Sequence, residues 1–225
     1  MIHTNFDVLH EFLIDGAELT ENGYPKIKGG SEMPSPYFCI DFKNSFRLVK
    51  DTRKYNVNFY IDDQCFERIW NTPTRYTEHL QCFGSLCGPD FTIDTRMPKV
   101  LQQYQKYRSM ALTWYWQAIG IDVIPTVSVL EPGMTWQYEG IPHNAIISVC
   151  TNGRVHSEIA RTEFKEAFAE MEEILTPAAV VLYGRMPKGF EPQCNVLQFR
   201  TANMILSERV KDGKPYSKID SFRTC

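Results

Sequence analysis

One long amphipathic pattern, followed directly by an apolar run, constrains the fold of this chain most strongly. The pattern MPKVLQQYQKYRSMALTWYWQAIG runs from Met97 to Gly120, and its apolar residues recur every three or four positions, as on one helix face. Pro98 suits a first turn and Gly120 suits a helix end. About 22 helical residues are roughly 33 Å long, enough to cross a sheet. We therefore expect this helix to be central to the fold.

The segments around this helix predict parallel strands. The strand candidate CFGSLC at 82–87 precedes the helix, and IDVIPTVSV, which is rich in β-branched residues, follows it. A strand, a long helix and a second strand are typical of a βαβ crossover. The pattern recurs in AIISVC at 145–150, a helix at 163–175 and AAVVLY at 178–183. Three further strands are predicted at 37–42, 57–61 and 195–199.

These elements predict a single α/β domain over residues 1–225, with a parallel-rich sheet and βαβ crossovers. A chain of 225 residues with 43% hydrophobic composition can bury one substantial core, and it has no clear linker. These strand candidates are fewer than the eight of a full (β/α)₈ barrel, so an open sheet and an incomplete (β/α) barrel both stay open. Around this domain we expect a short helix at 5–14, a Gly/Pro-rich loop at 18–36 and a polar C-terminal tail at 205–225.

Composition argues against two classes of function. The formal net charge of -3 predicts no strong non-specific DNA binding, because duplex binders typically carry an excess of Lys and Arg. Arg47, Lys50, Arg53 and Lys54 form either a local basic groove or a solvated face. No apolar run approaches the roughly 20 residues that span a bilayer, so we expect no membrane role. Seven irregularly spaced cysteines and an N-terminus unlike a signal peptide predict a cytoplasmic protein with reduced thiols.

Carboxylates follow the predicted strand ends, where parallel α/β sheets bind ligands. Asp62 and Asp63 come directly after FYI, and Asp90 follows the SLC run. If the three carboxylates converge, a cation or a basic side chain must relieve their repulsion. Mg²⁺ or Mn²⁺ would do so, since carboxylate oxygens are preferred ligands of hard cations, and so would Arg108 or Arg185. The alternative is that these aspartates cap helices and pair with arginines.

Other strand ends add ligand-binding candidates to this edge. On the long helix, Trp116 is expected near the polar face, where it could contact a ligand, whereas Trp114 and Tyr115 are expected in the core. Gln117 on the long helix is a further ligand-binding candidate. The candidates that follow the other strands are Thr126, Ser128, Thr151, Asn152 and Arg185.

Several common catalytic motifs are missing from the sequence. Cys82 and Cys87 lack the paired short spacings of structural zinc sites, and the five histidines form no HExxH pattern. The chain contains neither GxGxxG nor GxxxxGK[ST], which argues against Rossmann dinucleotide enzymes and P-loop NTPases.

The segments FYIDDQCFERIWN, GPDFTID followed by MP, the YR and WQ pairs of the long helix, and GIDVIPTVSV together resemble a known family. That family occurs mostly in phage, prophage and mobile-element genomes and is catalogued as a domain of unknown function. Family members often have Ser where this chain has Gly88, and Trp where it has Val129. The matching positions are Asp62, Asp63, Pro89, Asp90, Pro98, Tyr107, Arg108, Trp116, Gln117, Pro125 and Thr126.

The resemblance implies a phage or mobile-element origin and a role in the host cell cytosol during replication or host takeover. With the strand-end carboxylates, it favours a protein acting on nucleotides or nucleic acid, and metal-assisted phosphodiester hydrolysis is one way in which such a protein could act. Asp62, Asp63 and Asp90 would then be catalytic metal ligands, and Arg108 or Arg185 would steady phosphate charge. The alternatives are a non-enzymatic binding protein that antagonises a host factor or defence system, and a DNA-processing accessory using residues 47–54.

Overall fold

In the part of the chain that the structure describes, seven short strands follow one another, separated by helices and loops. The structure is a computed structural model that describes residues 8–34, 38–200 and 204. Short apolar or β-branched runs form most of the strands, as expected for segments buried on both faces. The strands are β1 (Cys39–Asp41), β2 (Asn56–Asn58), β3 (Ser85–Cys87), β4 (Val123–Ile124), β5 (Ile146–Cys150), β6 (Ala179–Tyr183) and β7 (Asn195–Phe199).

The strands are paired in the order of the sequence, and every pair is parallel. The first sheet has the order β1-β2-β3-β4, and the second has the order β5-β6-β7. A parallel bridge between Thr126 and Ser148 joins the two sheets just beyond β4. There the Val127 N–H donates to the Ser148 carbonyl oxygen, and the Ser148 N–H donates to the Pro125 carbonyl oxygen, each at 2.8 Å. The predicted α/β fold with a parallel-rich sheet is confirmed.

The two sheets are strongly curved. The ring of Tyr60, two residues beyond β2, stacks on the ring of Tyr183 at the end of β6, with centroids 5.0 Å apart. In a flat sheet these strands would lie about 19 Å apart, because neighbouring strands are about 4.8 Å apart. Among the described strands, β7 and β1 are not paired with each other. The architecture is therefore open at these two edges and curved as in an incomplete barrel. The inner face carries Tyr60, Cys87, Ile124, Val181, Tyr183 and Phe199.

Two long helices make the predicted crossovers. The helix α4 (Lys99–Ala118) connects β3 to β4, and α5 (Glu158–Leu175) connects β5 to β6. The α5 helix begins five residues before its predicted start, because the Ser157 hydroxyl caps it by accepting from the Ala160 N–H at 3.1 Å. Three short helices pack around the first sheet, namely α1 (Phe42–Ser45), α2 (Arg68–Asn71) and α3 (Thr77–Gln81).

The buried face of α4 differs from the predicted one. Trp116 is fully buried and stacks on Phe59 with ring centroids 5.6 Å apart, whereas Trp114 and Tyr115 are half-buried. The prediction that Trp116 lies near the polar face is therefore wrong. The physical reason is that α4 packs between two core clusters and buries polar side chains that have partners, while Val100 and Leu101 remain exposed. A prediction from apolar positions alone therefore misses the polar residues on such a buried face.

The predicted Gly/Pro-rich loop is packed against the sheets. The N–H of Gly30 donates to the Ile146 carbonyl oxygen at 3.2 Å, and a Cβ added to Gly30 would lie 2.6 Å from the Ile124 side chain. Gln117 also holds this segment, because its side chain accepts from the Lys28 N–H and donates to the Lys28 carbonyl oxygen, both at 2.8 Å. Close contact with β4 and β5 thus explains why glycine suits position 30.

Some predicted elements fall wholly or partly outside the described residues. Of the predicted N-terminal helix, Asn5 and Phe6 lie outside them, and the described part forms a 3₁₀ helix over Glu11–Ile14. Tyr37 of the predicted first strand and the polar tail at 205–225 also lie outside. Within the described part of the chain, none of the helices combines the length and apolar character needed to cross a membrane.

Candidate functional site

A polar cleft of about 420 Å³ lies at the carboxyl edge of the sheets. Three consecutive strands supply its walls, since residues beyond the ends of β3, β4 and β5 meet there. Parallel strands end at the same edge, so chain segments far apart in sequence are brought together. The polar residues that line the cleft are Asp90, Thr92, Asp94, Thr95, Ser128, Asn152 and Arg154.

Asp90 is the most perturbed carboxyl group of this cleft. It is half-buried three residues beyond β3, and burial raises its pKa to about 7. The nearby negative charge of Asp63 adds to this rise, while the Arg154 guanidinium lowers it. A carboxyl group with a pKa near neutrality can both accept and donate a proton at physiological pH. Asp90 can therefore serve as a general acid or base.

Arg154 is the cationic group of the cleft, and the sequence analysis missed it. Its Nη2 donates to the Ile93 carbonyl oxygen at 3.3 Å. Burial lowers its pKa, and the negative charges of Asp90, Asp94 and Glu131 oppose that effect. The sequence does hold a signal for it, since Arg154 follows the predicted strand end by only four residues, in TNGRV. Its guanidinium can offer further N–H donors to an anion or carbonyl group in the cleft.

The aspartate pair after β2 is divided between two environments. Asp62 is exposed, whereas Asp63 accepts hydrogen bonds from the N–H and hydroxyl groups of Thr92, the latter at 2.8 Å. Asp63 thereby holds the loop that forms one wall of the cleft, and its charge acts on Asp90. The described residues include no group of three or more His, Cys, Asp or Glu side chains arranged to hold a metal ion. The binding of Mg²⁺ or Mn²⁺ therefore stays a prediction from the sequence.

Arg108 lies in the core beside the cleft wall and is paired with Glu67. The Arg108 side chain is 8% exposed, its Nη2 donates to the Glu67 carboxylate, and its Nη1 donates to the Gln105 side chain at 2.9 Å. Its guanidinium carbon also lies 3.8 Å from the centre of the Phe91 ring. The sequence analysis expected Arg108 to face the aspartates or a phosphate, whereas its partner is Glu67, which directly precedes α2. Its pairing with Glu67 indicates that Arg108 supports the loop that carries Phe91.

We expect the change Glu67→Ala to lower the free energy of unfolding by about 2–3 kcal/mol, because it leaves a buried guanidinium without its counter-ion. The change Glu18→Ala is the matched control, since Glu18 pairs with Lys26 where the side chains are 74% and 50% exposed. We expect that control to change stability by less than about 1 kcal/mol. Urea denaturation at neutral pH measures both. Equal changes in the two variants would contradict the assigned role of Arg108.

The remaining sequence candidates lie at different positions. Ser128 and Asn152 line the cleft, Arg185 is exposed and does not line it, and Gln117 binds the segment around Lys28. Thr151 is buried, and its N–H donates to the Tyr183 carbonyl oxygen at 2.9 Å.

Thr126 belongs to a hydroxyl network on the inner face of the sheets. Its hydroxyl donates to the Gly88 carbonyl oxygen at 2.6 Å and lies 3.2 Å from both the Tyr60 and the Ser148 hydroxyl oxygens. Burial raises the pKa of Tyr60 well above its ordinary value and raises that of the nearby Cys87 thiol to about 12. Both groups are therefore neutral at physiological pH. A thiolate nucleophile at Cys87 is not supported, because thiolate formation requires a lowered pKa.

Parallel strands in sequence order, with a polar cleft at their carboxyl edge, define an α/β protein whose candidate site is assembled from strand-end loops. The chain belongs to the family described as domain of unknown function DUF4417, whose model matches residues 19–200. The family resemblance inferred from the sequence is thereby confirmed.

Two curated relatives are the "Gene 1 protein" of Mycobacterium phage L5 and the "Gene 1 protein" of Mycobacterium phage D29. Each is 30% identical to this chain over 131 residues, which is 58% of this chain, 57% of the L5 protein and 48% of the D29 protein. The chain thus spans about half the length of the curated relatives it matches. No solved structure matches it. These relatives support the phage association of the family.

Proposed function

We propose that this chain hydrolyses a phosphoester in a nucleotide or at a nucleic acid end bound in the cleft. The observation that carries the proposal is the meeting of a half-buried carboxyl group, Asp90, and a guanidinium, Arg154, in one polar cleft at the carboxyl edge. A volume of about 420 Å³ falls within the range of about 300–1,000 Å³ typical of small-molecule sites. A nucleotide is therefore of suitable size.

In this proposal the two groups have separate tasks. Arg154 binds the phosphate oxygens, since a guanidinium presents paired N–H donors that match phosphate geometry. Asp90 accepts a proton from water as the water oxygen bonds to phosphorus, and the bond from phosphorus to the leaving oxygen breaks. The leaving oxygen takes the electron pair of that bond. Ser128 and Asn152 offer hydrogen bonds to the remainder of the ligand.

The charge of the chain favours a small ligand over a long duplex. With a formal net charge of -3, the protein as a whole does not attract extended phosphate backbones. A single arginine within a cleft instead suits one or two phosphate groups. The phage origin of the relatives supports action in the host cytosol during infection, where nucleotides and nucleic acid ends are abundant.

The first test is a thermal unfolding series with nucleoside mono-, di- and triphosphates and inorganic phosphate as probes. A ligand that binds only the folded state raises the unfolding midpoint. We expect at least one nucleotide to raise the midpoint of the wild type and to lose that effect in Arg154→Gln. Arg185→Gln is the matched control, because Arg185 also follows a strand end but does not line the cleft. The series is repeated with Mg²⁺ and with Mn²⁺.

Phosphate release from the stabilising nucleotide is then measured, because it distinguishes an enzyme from a binding protein. If nucleotide binding depends on Arg154 but no phosphate is released, the binding-protein alternative is supported and hydrolysis is not. Equal responses of Arg154→Gln and Arg185→Gln would contradict the assignment of the cleft as the site.

A further inference from the structure

A small cavity of about 20 Å³ adjoins the cleft. Asp90, Ile93 and Ser128 line both spaces, so the cavity lies next to the proposed catalytic carboxyl group. This volume suits one water molecule, for which about 10–15 Å³ of the same measure is needed. The polar residues that line the cavity are Asp90, Gln105, Lys106, Ser109, Thr126, Ser128 and Gln137.

Gln137 is the one of these residues with fully buried side-chain polar atoms that lack a hydrogen-bond partner among the described residues. It lies in the 3₁₀ helix Thr135–Tyr138 and is 3% exposed, and neither its amide nitrogen nor its amide oxygen has a hydrogen-bond partner among the described residues. The Tyr138 hydroxyl donates to the Ala167 carbonyl oxygen at 3.3 Å, so it can only accept a hydrogen bond from the Gln137 amide nitrogen and leaves the Gln137 amide oxygen without a donor. Buried amide groups are seldom left unpaired, because each unmade hydrogen bond costs about 1–3 kcal/mol.

Two other polar groups around the cavity, those of Lys106 and Ser109, have hydrogen-bond partners. The Lys106 ammonium group donates to the carbonyl oxygens of Gln137 and Glu139 at 2.5 and 2.9 Å and lies 4.7 Å from the Tyr24 ring centre. The Ser109 hydroxyl donates to the Pro89 carbonyl oxygen at 2.5 Å. Their positions are thus fixed, while the Gln137 amide offers both a donor and an acceptor.

We propose that Gln137 is a positioning residue that holds the nucleophilic water against the Asp90 carboxylate. This inference rests on the proposed hydrolysis and adds the residue that prepares its nucleophile. The Gln137 oxygen accepts a hydrogen bond from one O–H group of the water, and the Asp90 carboxylate accepts a hydrogen bond from the other. When the water oxygen bonds to the phosphorus of a ligand held by Arg154, the proton of that second O–H group passes to Asp90. The bond from phosphorus to the leaving oxygen breaks, and the leaving oxygen departs with the electron pair.

The kinetic test uses bis(4-nitrophenyl) phosphate, whose leaving group needs no proton. We expect Gln137→Met, which has similar volume but no hydrogen-bonding amide, to lower kcat roughly 10²-fold with little change in KM, because misplacing a nucleophile by about 1 Å has such an effect. We expect Gln137→Glu to restore part of kcat. That variant should also move the acidic limb of the pH–rate profile to higher pH, because a second carboxyl group beside Asp90 raises its pKa.

A crystal structure of the wild type tests the role of Gln137 separately from the proposed hydrolysis. We expect a water oxygen within about 3.2 Å of both the Gln137 amide and the Asp90 carboxyl group. If that water is present but the wild type hydrolyses neither the probe nor a nucleotide, the hydrolytic function is wrong. If hydrolysis depends on Asp90 while Gln137→Met keeps the wild-type kcat, or no water lies between the two groups, the role of Gln137 is overturned. Unfolding midpoints of both variants exclude loss of folding as the cause.

Discussion

Replacing Asp90 by Asn is expected to lower kcat for phosphodiester hydrolysis by roughly 10²- to 10⁴-fold, the range for loss of a general base. An amide of the same shape fills the site but cannot accept the proton of the attacking water. Initial rates of 4-nitrophenolate release at saturating probe measure the effect. The binding of a stabilising nucleotide should persist in this variant, because Arg154 is unchanged.

The variant Asp62→Asn distinguishes general-base catalysis by Asp90 from metal binding by the three aspartates. Asp62 is exposed and does not line the cleft, so we expect its replacement to leave most of kcat in place. A loss as large as that of Asp90→Asn, together with a requirement for Mg²⁺ or Mn²⁺, would instead support the metal site predicted from the sequence. Asp51→Asn, at an exposed position paired with Lys54, is the matched control for charge removal.

The second large effect concerns stability as a function of pH. The pKa of Asp90 is about 7 in the folded state and about 3.9 in the unfolded chain, so the folded state binds more protons between these values. Stability therefore falls as pH rises through this window, and the loss is complete above pH 7. Relative to Asp90→Asn, we expect the wild type to lose about 2–3 kcal/mol between pH 5 and pH 8, at 1.36 kcal/mol per pKa unit.

Urea denaturation of both proteins at pH 5, 6, 7 and 8 measures this difference. Burial lowers the pKa of Lys106 to about 7, which makes stability rise with pH above that value. Because Lys106 is present in both proteins, its contribution cancels in the difference. Parallel pH dependences in the two proteins would show that Asp90 has an ordinary pKa.

The helix with a clear sequence period was predictable from this chain. The burial of side chains that depends on distant contacts was not. The pattern from Met97 to Gly120 located α4 within about two residues at each end, because a 3.6-residue period is a strong local signal. The face that α4 buries was predicted poorly. Lys106 and Arg108 are buried through partners distant in the sequence, namely the carbonyl oxygens of Gln137 and Glu139 and the carboxylate of Glu67.

The residues of the candidate site were likewise predictable only in part. The rule that ligands bind beyond parallel strand ends located Asp90, Ser128 and Asn152, which line one cleft. Arg154 and Gln137 carry no local motif, and their importance depends on loops that meet only in the folded chain. The partner of Asp63 could not be predicted either, since Thr92 is 29 residues further along the chain.

The most direct measurement is a ¹³C NMR titration of the Asp90 carboxyl carbon in the wild type, with and without the nucleotide that stabilises it most. We expect a pKa of about 7 for Asp90 in the free protein. We expect a higher Asp90 pKa in the complex, because a phosphate bound to Arg154 offsets the positive charge that lowers this pKa. A pKa near 4 that does not respond to the nucleotide would contradict the claim that Asp90 and Arg154 form one phosphate-processing site.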